Sequence, residues 1–119
     1  MKKIFPVFLF IIVLGFYGFS DHNQVLNTSL RITVLDYLGN TVEGATVNIF
    51  PTENDYRNET NPVQEKQLTD RKGRVTFKKL EPVFYFVYVV KDDMNNVGGG
   101  VQTDTLEGGK VNKVNIIIE

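Results

Sequence analysis

The chain reads as an all-β protein, a sandwich of seven strands in two sheets, and three observations lead to that reading. Apolar residues alternate with other types in short blocks: Leu30-x-Ile32-x-Val34, Ala45-x-Val47-x-Ile49, Val75-x-Phe77 and Tyr85-x-Val87-x-Val89. Such alternation sets one face of an extended strand into a core. Turn residues separate the blocks, at 36–40, 69–73, 92–96 and 108–109. No stretch after residue 20 has a convincing 3.6-residue apolar period. Strands at this spacing in about 100 residues describe a two-sheet sandwich.

The first twenty residues stand apart from that pattern. Met1-Lys2-Lys3 is a short positive segment, Ile4 to Phe19 is almost wholly apolar, and Gly18-Phe19-Ser20 places small residues three and one before Asp21. That is the layout of a secretory signal peptide, here 1–20. A spanning helix needs roughly 20 apolar residues; this run is shorter, holds Pro6, and has Gly15 and Gly18 near its end. Removing 20 residues from 119 leaves 99. Such a chain makes one small domain that buries somewhat over 60% of its unfolded surface. Lys2 and Lys3 leave with the signal, so 11 of the 13 basic residues face 14 acidic ones, a net charge of about −3. An acidic domain disfavours nucleic acid and anionic membranes as partners. With no cysteine, neither disulfides nor a lipid-bearing cysteine are available, so packing alone holds the fold. The expected product is secreted, periplasmic or extracellular, and has no stable membrane anchor after cleavage. The missing cysteines favour a bacterial source.

Along the chain, 21–28 is polar and reads as a flexible lead-in to a domain over 29–119. The first strand is expected at about 29–36, with Leu30, Ile32 and Val34 inward, and ends in a turn capped by Asp36 with Gly39 at positive φ. The second is expected at about 44–50, its Gly44 and Ala45 suiting close approach of the sheets. Pro51 to Asn61 is a long polar loop holding Tyr56. A weak edge strand near 63–69 and a strand at 73–79 follow, then the apolar run Phe84 to Val90, which reads as a buried central strand. Beyond the 92–96 turn, Val97 to Gln102 holds Gly98, Gly99 and Gly100 and reads as a weak or bulged strand. The last strand is expected at about 110–118, with Val114, Ile116 and Ile118 inward.

The order Ile32-x-Val34-x-Asp36-x-x-Gly39, Gly44-Ala45-x-Val47-x-Ile49, Thr69-Asp70-x-x-Gly73-x-Val75-x-Phe77-x-x-Leu80, Tyr85-x-Val87-x-Val89 resembles the carboxypeptidase regulatory-like domain. The resemblance covers most of the chain after residue 29. It implies a transthyretin-like (prealbumin-like) Greek-key sandwich and says almost nothing of activity. Related collagen-binding-protein B-type repeats carry a first-strand lysine, two residues before the turn aspartate, that bonds covalently to an asparagine of the last strand. Val34 holds that place here, so Asn112 and Asn115 are expected to be ordinary strand residues. The family's usual glycine before the tyrosine run is replaced by Val83.

Catalytic chemistry finds little footing. His22 is the single histidine and lies in the lead-in, so no nucleophile–histidine–acid arrangement and no zinc ligand set can be assembled around it. Hydroxyisourate hydrolases, on a related fold, use several histidines and a Tyr-Arg-Gly-Ser ending; intradiol dioxygenases need two histidines and two tyrosines on iron. Neither set is present. Asp92, Asp93, Asn95 and Asn96 cluster oxygens but lack the spacing of a calcium loop and read as turn formers. The three glycines lack the Gly-Lys-Ser/Thr of a phosphate cradle. Arg71, Lys72, Arg74, Lys78 and Lys79 read as a solvated basic face. No cofactor and no metal is expected, and the chain is not expected to be an enzyme.

One feature points outward. If Tyr85, Val87 and Val89 face the core, Phe84, Phe86, Tyr88 and Val90 face the opposite side, where a sandwich strand ordinarily carries polar residues. Either the 51–61 loop folds over them or they form a contact surface for a protein partner or a second copy. The candidate surface is Phe84, Phe86 and Tyr88, with Tyr56 of the loop. The expected role is protein binding or a structural part in an exported assembly; the alternatives are a carrier of a small hydrophobic ligand and a surface carbohydrate binder, the latter weakened by the lack of tryptophan. Intact-mass measurement of the exported chain is expected to show loss of residues 1–20 and no further loss of ammonia. A full-length product in the membrane fraction, or an ammonia deficit marking an isopeptide bond, would contradict these expectations.

Overall fold

The computed structural model describes residues 27–119. The expected signal peptide, its cleavage site and His22 lie outside the described residues. Among these residues, seven strands form two sheets, of three and four strands. β1 (Ser29–Asp36) is the middle strand of the first sheet, between β4 (Arg74–Phe77), antiparallel, and β7 (Val111–Ile118), parallel. The second sheet runs β3 (Gln67–Leu68), β2 (Thr46–Phe50), β5 (Phe86–Lys91), β6 (Met94–Asn95), all antiparallel.

The alternating residues meet between the sheets. Leu30, Ile32 and Val34 of β1, Val75 and Phe77 of β4, and Ile116 and Ile118 of β7 face Ala45, Val47 and Ile49 and the Tyr85, Val87 and Val89 series of the other sheet; all are buried. Leu80 and Leu106, from the loops after β4 and before β7, fill the ends. Burying one such side chain contributes about 1.5–3 kcal/mol, and the core is all the cross-linking this cysteine-free chain has. Across β1 and β7, buried Val34 stands level with Ile116. The place where the related repeats carry lysine is therefore an apolar pair.

The turns fall where Asp and Gly were placed. Asp36 Oδ1 accepts from the N–H groups of Leu38 and Asn40, and Asp70 Oδ1 from those of Lys72 and Arg74, while Gly39 and Gly73 take positive φ. At Gly73 a Cβ would lie 2.9 Å from the Val34 carbonyl oxygen, so the position excludes any side chain on both counts. The N–H groups of Arg74 and Lys72 hold the Asp70 carboxyl below its ordinary range.

Several expectations are corrected. Glu53–Asn58 is a helix, α1, not an irregular loop: Thr52 caps it by accepting from the Asp55 N–H, and Glu59 closes it in the left-handed conformation. It is too short to show a periodic stripe. The strand expected at 97–102 is absent; the second edge strand is instead β6, inside the expected 92–96 turn. Strands expected at 63–69 and 73–79 shrink to 67–68 and 74–77, so Lys78 falls beyond β4 and shares no strand face with Arg74. Gly44 lies before β2 in a positive-φ turn and serves that turn, not a contact between sheets. Thr28, placed in the lead-in, is buried, and its Oγ1 accepts from the Gly109 N–H.

The missing strand has a side-chain substitute. Asn96 is 1% exposed; its Oδ1 accepts from Val89 N–H at 2.9 Å, and its Nδ2 donates to the carbonyls of Val87 (2.9 Å) and Gly100 (3.2 Å). One amide therefore completes the ladder that a regular strand would have supplied to β5. The former cation-cluster candidate Asn96 is a structural residue. Asn96→Ala strands the Val89 N–H and the Val87 C=O, at ~1–3 kcal/mol per buried orphan. The melting temperature is expected to fall by roughly 8 °C or more, at ~4–8 °C per kcal/mol for a domain of this size. A shift within error of wild type would show the amide to be dispensable.

Candidate interaction surface

β5 presents two faces. Val87 and Val89 point into the core, and Phe86, Tyr88 and Val90 point away from it. On that outer side Phe86 pairs with Phe50 and Tyr88 with Asn48 of β2, so Phe50 and Phe86 make an aromatic row on the back of the sheet. α1 lies across this row and sets Tyr56 among the rings. Its ring stacks on Phe86 (centroids 6.3 Å apart, 29° between planes) and meets Phe50 and Tyr88 edge-on at 6.3 and 5.9 Å. Such pairs contribute about 0.5–1.5 kcal/mol each beyond their area. Burial, and next the neighbouring Tyr88, raise the Tyr56 phenol above its ordinary value, outweighing the opposite pull of Arg57.

The helix is held in register by its own polar residues. Asp55 accepts from the side chains of Asn61, Thr52 and Thr60, which keep its carboxyl below its ordinary range, Asn61 most of all. Arg57 pairs with Glu53 one turn back on the exposed side. Asp55 therefore serves the loop's closure, and the 51–61 segment is a built element.

The four candidate residues come together unequally. Phe86 is buried at 8% exposure, under Tyr56 and under Phe84, whose ring crosses it at 5.8 Å and 80°. Tyr56 and Tyr88 are half-buried. Phe84 precedes the strand and is 42% exposed, beside Val83 at 43%. Across the helix, Tyr56, Tyr88, Arg57, Glu59 and Val97 line a shallow groove of about 240 Å³, with Val97 exposed. Neither Val83 nor Val97 was placed in the candidate surface from the sequence. Val83 stands where the resembled family has glycine, and that substitution was the available signal; Val97 sits in a segment read as a strand and carried none.

Other candidate chemistry disperses. Arg31, Arg71, Lys72 and Arg74 line an open groove of about 690 Å³ with Gln67 and Leu68, on the β3–β4 side of the sandwich. Asn112 is not an ordinary strand residue: its amide accepts from Glu107 N–H and donates to the carbonyls of Ser29, Glu107 and Lys110, tying the turn before β7. Among the described residues no three His, Cys, Asp or Glu side chains are grouped to hold a metal ion.

No family model and no curated protein matches the chain by sequence. Its fold does find counterparts among solved structures. A group B streptococcus pilus 2b backbone protein superposes with a TM-score of 0.58 at 11% identity, over 77% of this chain and 40% of that one. The full-length major pilin SpaD of Corynebacterium diphtheriae gives 0.51 at 14%, over 77% and 30%. The Bacillus anthracis TIE protein gives 0.50 at 21%, over 76% and 16%. The chain thus spans well under half of each of these proteins, and at such identities the likeness is one of fold. It is an all-β sandwich similar to domains found within bacterial pilins.

Tyr56→Ala is expected to lower stability by about 2 kcal/mol, from the loss of three ring contacts, while Tyr56→Phe leaves it nearly unchanged. Chemical denaturation of both variants checks this; an unchanged midpoint for Tyr56→Ala would mean that α1 does not bind the sheet through its tyrosine.

Proposed function

We propose that the chain is a secreted, non-catalytic β-sandwich module that works by binding protein, as a structural component of an exported assembly, and that Phe84 with its neighbours is its contact surface. The single observation that carries this is the partial cover of the aromatic face. α1 closes over Phe86 but leaves Phe84, whose ring crosses that of Phe86, and the neighbouring Val83 exposed. A rigid aromatic standing on a packed aromatic base is the kind of anchor that dominates protein interfaces. Among the described residues, the shifted titratable groups have structural causes: hydrogen bonds for Asp55 and Asp70, burial for Tyr56 and Tyr85. That supports binding over catalysis. The Tyr56–Tyr88 groove is smaller than the ~300–1,000 Å³ usual for a small-molecule site, which favours a protein partner over a hydrophobic-ligand carrier. Tyr56 gives one ring face to Phe86, leaving a poorer stacking platform for a sugar.

The pilin domains of similar fold support a role in an extracellular bacterial assembly, and the N-terminal signal supports export. We read the domain as carboxypeptidase regulatory-like, a prealbumin-like Greek-key sandwich over 29–119. The central β1, the parallel β1–β7 pair and the capped turns at Asp36 and Asp70 favour that reading.

The test compares two phenylalanines in pull-downs from the producing cells with the exported chain as bait. Phe84→Ser is expected to lose the captured protein while keeping the wild-type melt. Phe86→Ser is expected to lower stability by ~3 kcal/mol or more, as loss of a buried phenylalanine does. An unchanged capture profile for Phe84→Ser would contradict the assigned surface.

A further inference from the structure

The edges of the two sheets are closed one by one, and tracing them leaves one long edge uncovered among the described residues. On β4 and just beyond it, glutamines take the outward carbonyls: Gln67 Nε2 donates to Thr76 and Gln64 Nε2 to Lys78. The outer edge of β5 is filled by the Asn96 amide and by the Val101 carbonyl, which accepts from Val87 N–H at 2.7 Å. Just before β5, Thr103 serves Tyr85 in the same way. β3 and β6 have two residues each, too few to template another chain.

β7 is eight residues long and is the last strand of its sheet. The Ser29 N–H donates to the Lys110 carbonyl, and the parallel register sets Ser29 level with Val111. In a parallel ladder of that phase the even-numbered residues of β7 bond to β1, and the N–H and C=O groups of Val111, Lys113, Asn115 and Ile117 point the other way. Glu119, next in the odd series, does point that way: it exchanges bonds of 3.0 and 3.2 Å with Asn95 of β6. Among the described residues no strand pairs with the four that precede it.

We propose that this edge pairs antiparallel with β7 of a second copy of the chain, centred on Val114, joining two three-stranded sheets into one of six strands. The side chains select that partner and that register. Centring on Val114 sets Val111, 48% exposed, opposite Ile117, 54% exposed, and Lys113 opposite Asn115. Both ends of the contact are then apolar pairs, and no like charges meet. Centring on Lys113 would oppose the two lysines. Centring on Asn115 would oppose Lys113 to Ile117 and Val111 to Glu119, which β6 already holds. Cross-strand pairs of this kind fix register.

Gly98, Gly99 and Gly100 support the same edge. None has φ in the left-handed region, and a Cβ on Gly98 or Gly100 would meet nothing within 4 Å. The single chain has no steric use for three glycines there. Gly99 and Gly100 line a groove with Tyr37, Asn115 and Ile117 at the end of β7; the loop passes beside the Ile117 carbonyl, where a Cβ on Gly99 would sit 3.9 Å from its oxygen, and the absence of side chains keeps that end narrow enough for a strand to approach. This inference does not rest on the Phe84 surface, and either can fail alone.

The chain has no cysteine, so single-cysteine variants of the full chain report the register directly. Under mild oxidation Val114→Cys is expected to form a disulfide dimer. Lys113→Cys and Asn115→Cys are each expected to remain monomeric alone and to cross-link when mixed. In sedimentation, the wild-type dimer is expected to be lost in Asn115→Pro, whose N–H points away from β1, and in Ile117→Lys, both with their melts retained. Cross-linking at all three positions alike, absence of both the Val114→Cys and the mixed cross-link, or a dimer that survives both edge variants would overturn the proposal.

Discussion

The N–H and C=O groups along the outer edge of β5 depend on the segment from Asn95 to Thr103, and the Asn96 amide supplies two of their partners. A sandwich of three and four strands has almost as much edge as interior, and a buried backbone group without a partner costs as much as a lost hydrogen bond. Asn96 meets that constraint with one amide that accepts from Val89 and donates to Val87 and Gly100. Thr69 does the same between β2 and β3: its Oγ1 accepts from Ala45 N–H and donates to the Val42 carbonyl. Asn112, Gln64 and Gln67 close further gaps. No buried side-chain nitrogen or oxygen is left without a partner among the described residues. In a chain without disulfides these polar side chains let a small apolar core suffice.

The aromatic face follows from the same economy of strands. β5 is an interior strand of its sheet, so its inner face packs into the core shared with the other sheet, and its outer face needs separate cover. α1 provides it through a single residue, Tyr56, touching three rings at once. Because the helix has only six residues, its cover stops at Phe86 and leaves Phe84 and Val83 in solvent. The exposed patch is therefore the remainder of an internal packing problem, held rigid by the part that was solved.

Much of the fold was legible because its code is periodic. The alternation in β1, β2, β4, β5 and β7 names their inward residues correctly, since a slip of one residue would reverse every face. Asp36, Gly39, Asp70 and Gly73 mark turns whose geometry those residue types favour. The parts that escaped are set by contacts distant in sequence or by elements too short for a period. Helix α1 is shorter than two turns, and its signal was the Thr52 cap with Asp55 three residues on, embedded in a polar run. β6 is two residues inside a turn-like sequence, and the 97–102 segment is extended enough to pair with β5 through Val101 and Gln102 without forming a strand. Of the site, the outward direction of Phe86 and Tyr88 was legible from alternation. That Tyr56 would bury Phe86 and spare Phe84 was not, because it depends on where the helix lands.

The central claim is that, among the described residues, side chains, loops and short edge strands protect the sheet edges except along β7, and residue-resolved amide hydrogen exchange tests it most directly. At dilutions where the chain is monomeric, Tyr85, Val87 and Val89 are expected to exchange as slowly as the central β1 amides of Ile32 and Val34. Lys113, Asn115 and Ile117 are expected to exchange fast and to become protected as concentration rises, while Val114 and Ile116, bonded to β1, stay slow throughout. Rapid exchange at Val89, or protection of Lys113 and Asn115 that does not change with concentration, would contradict the account.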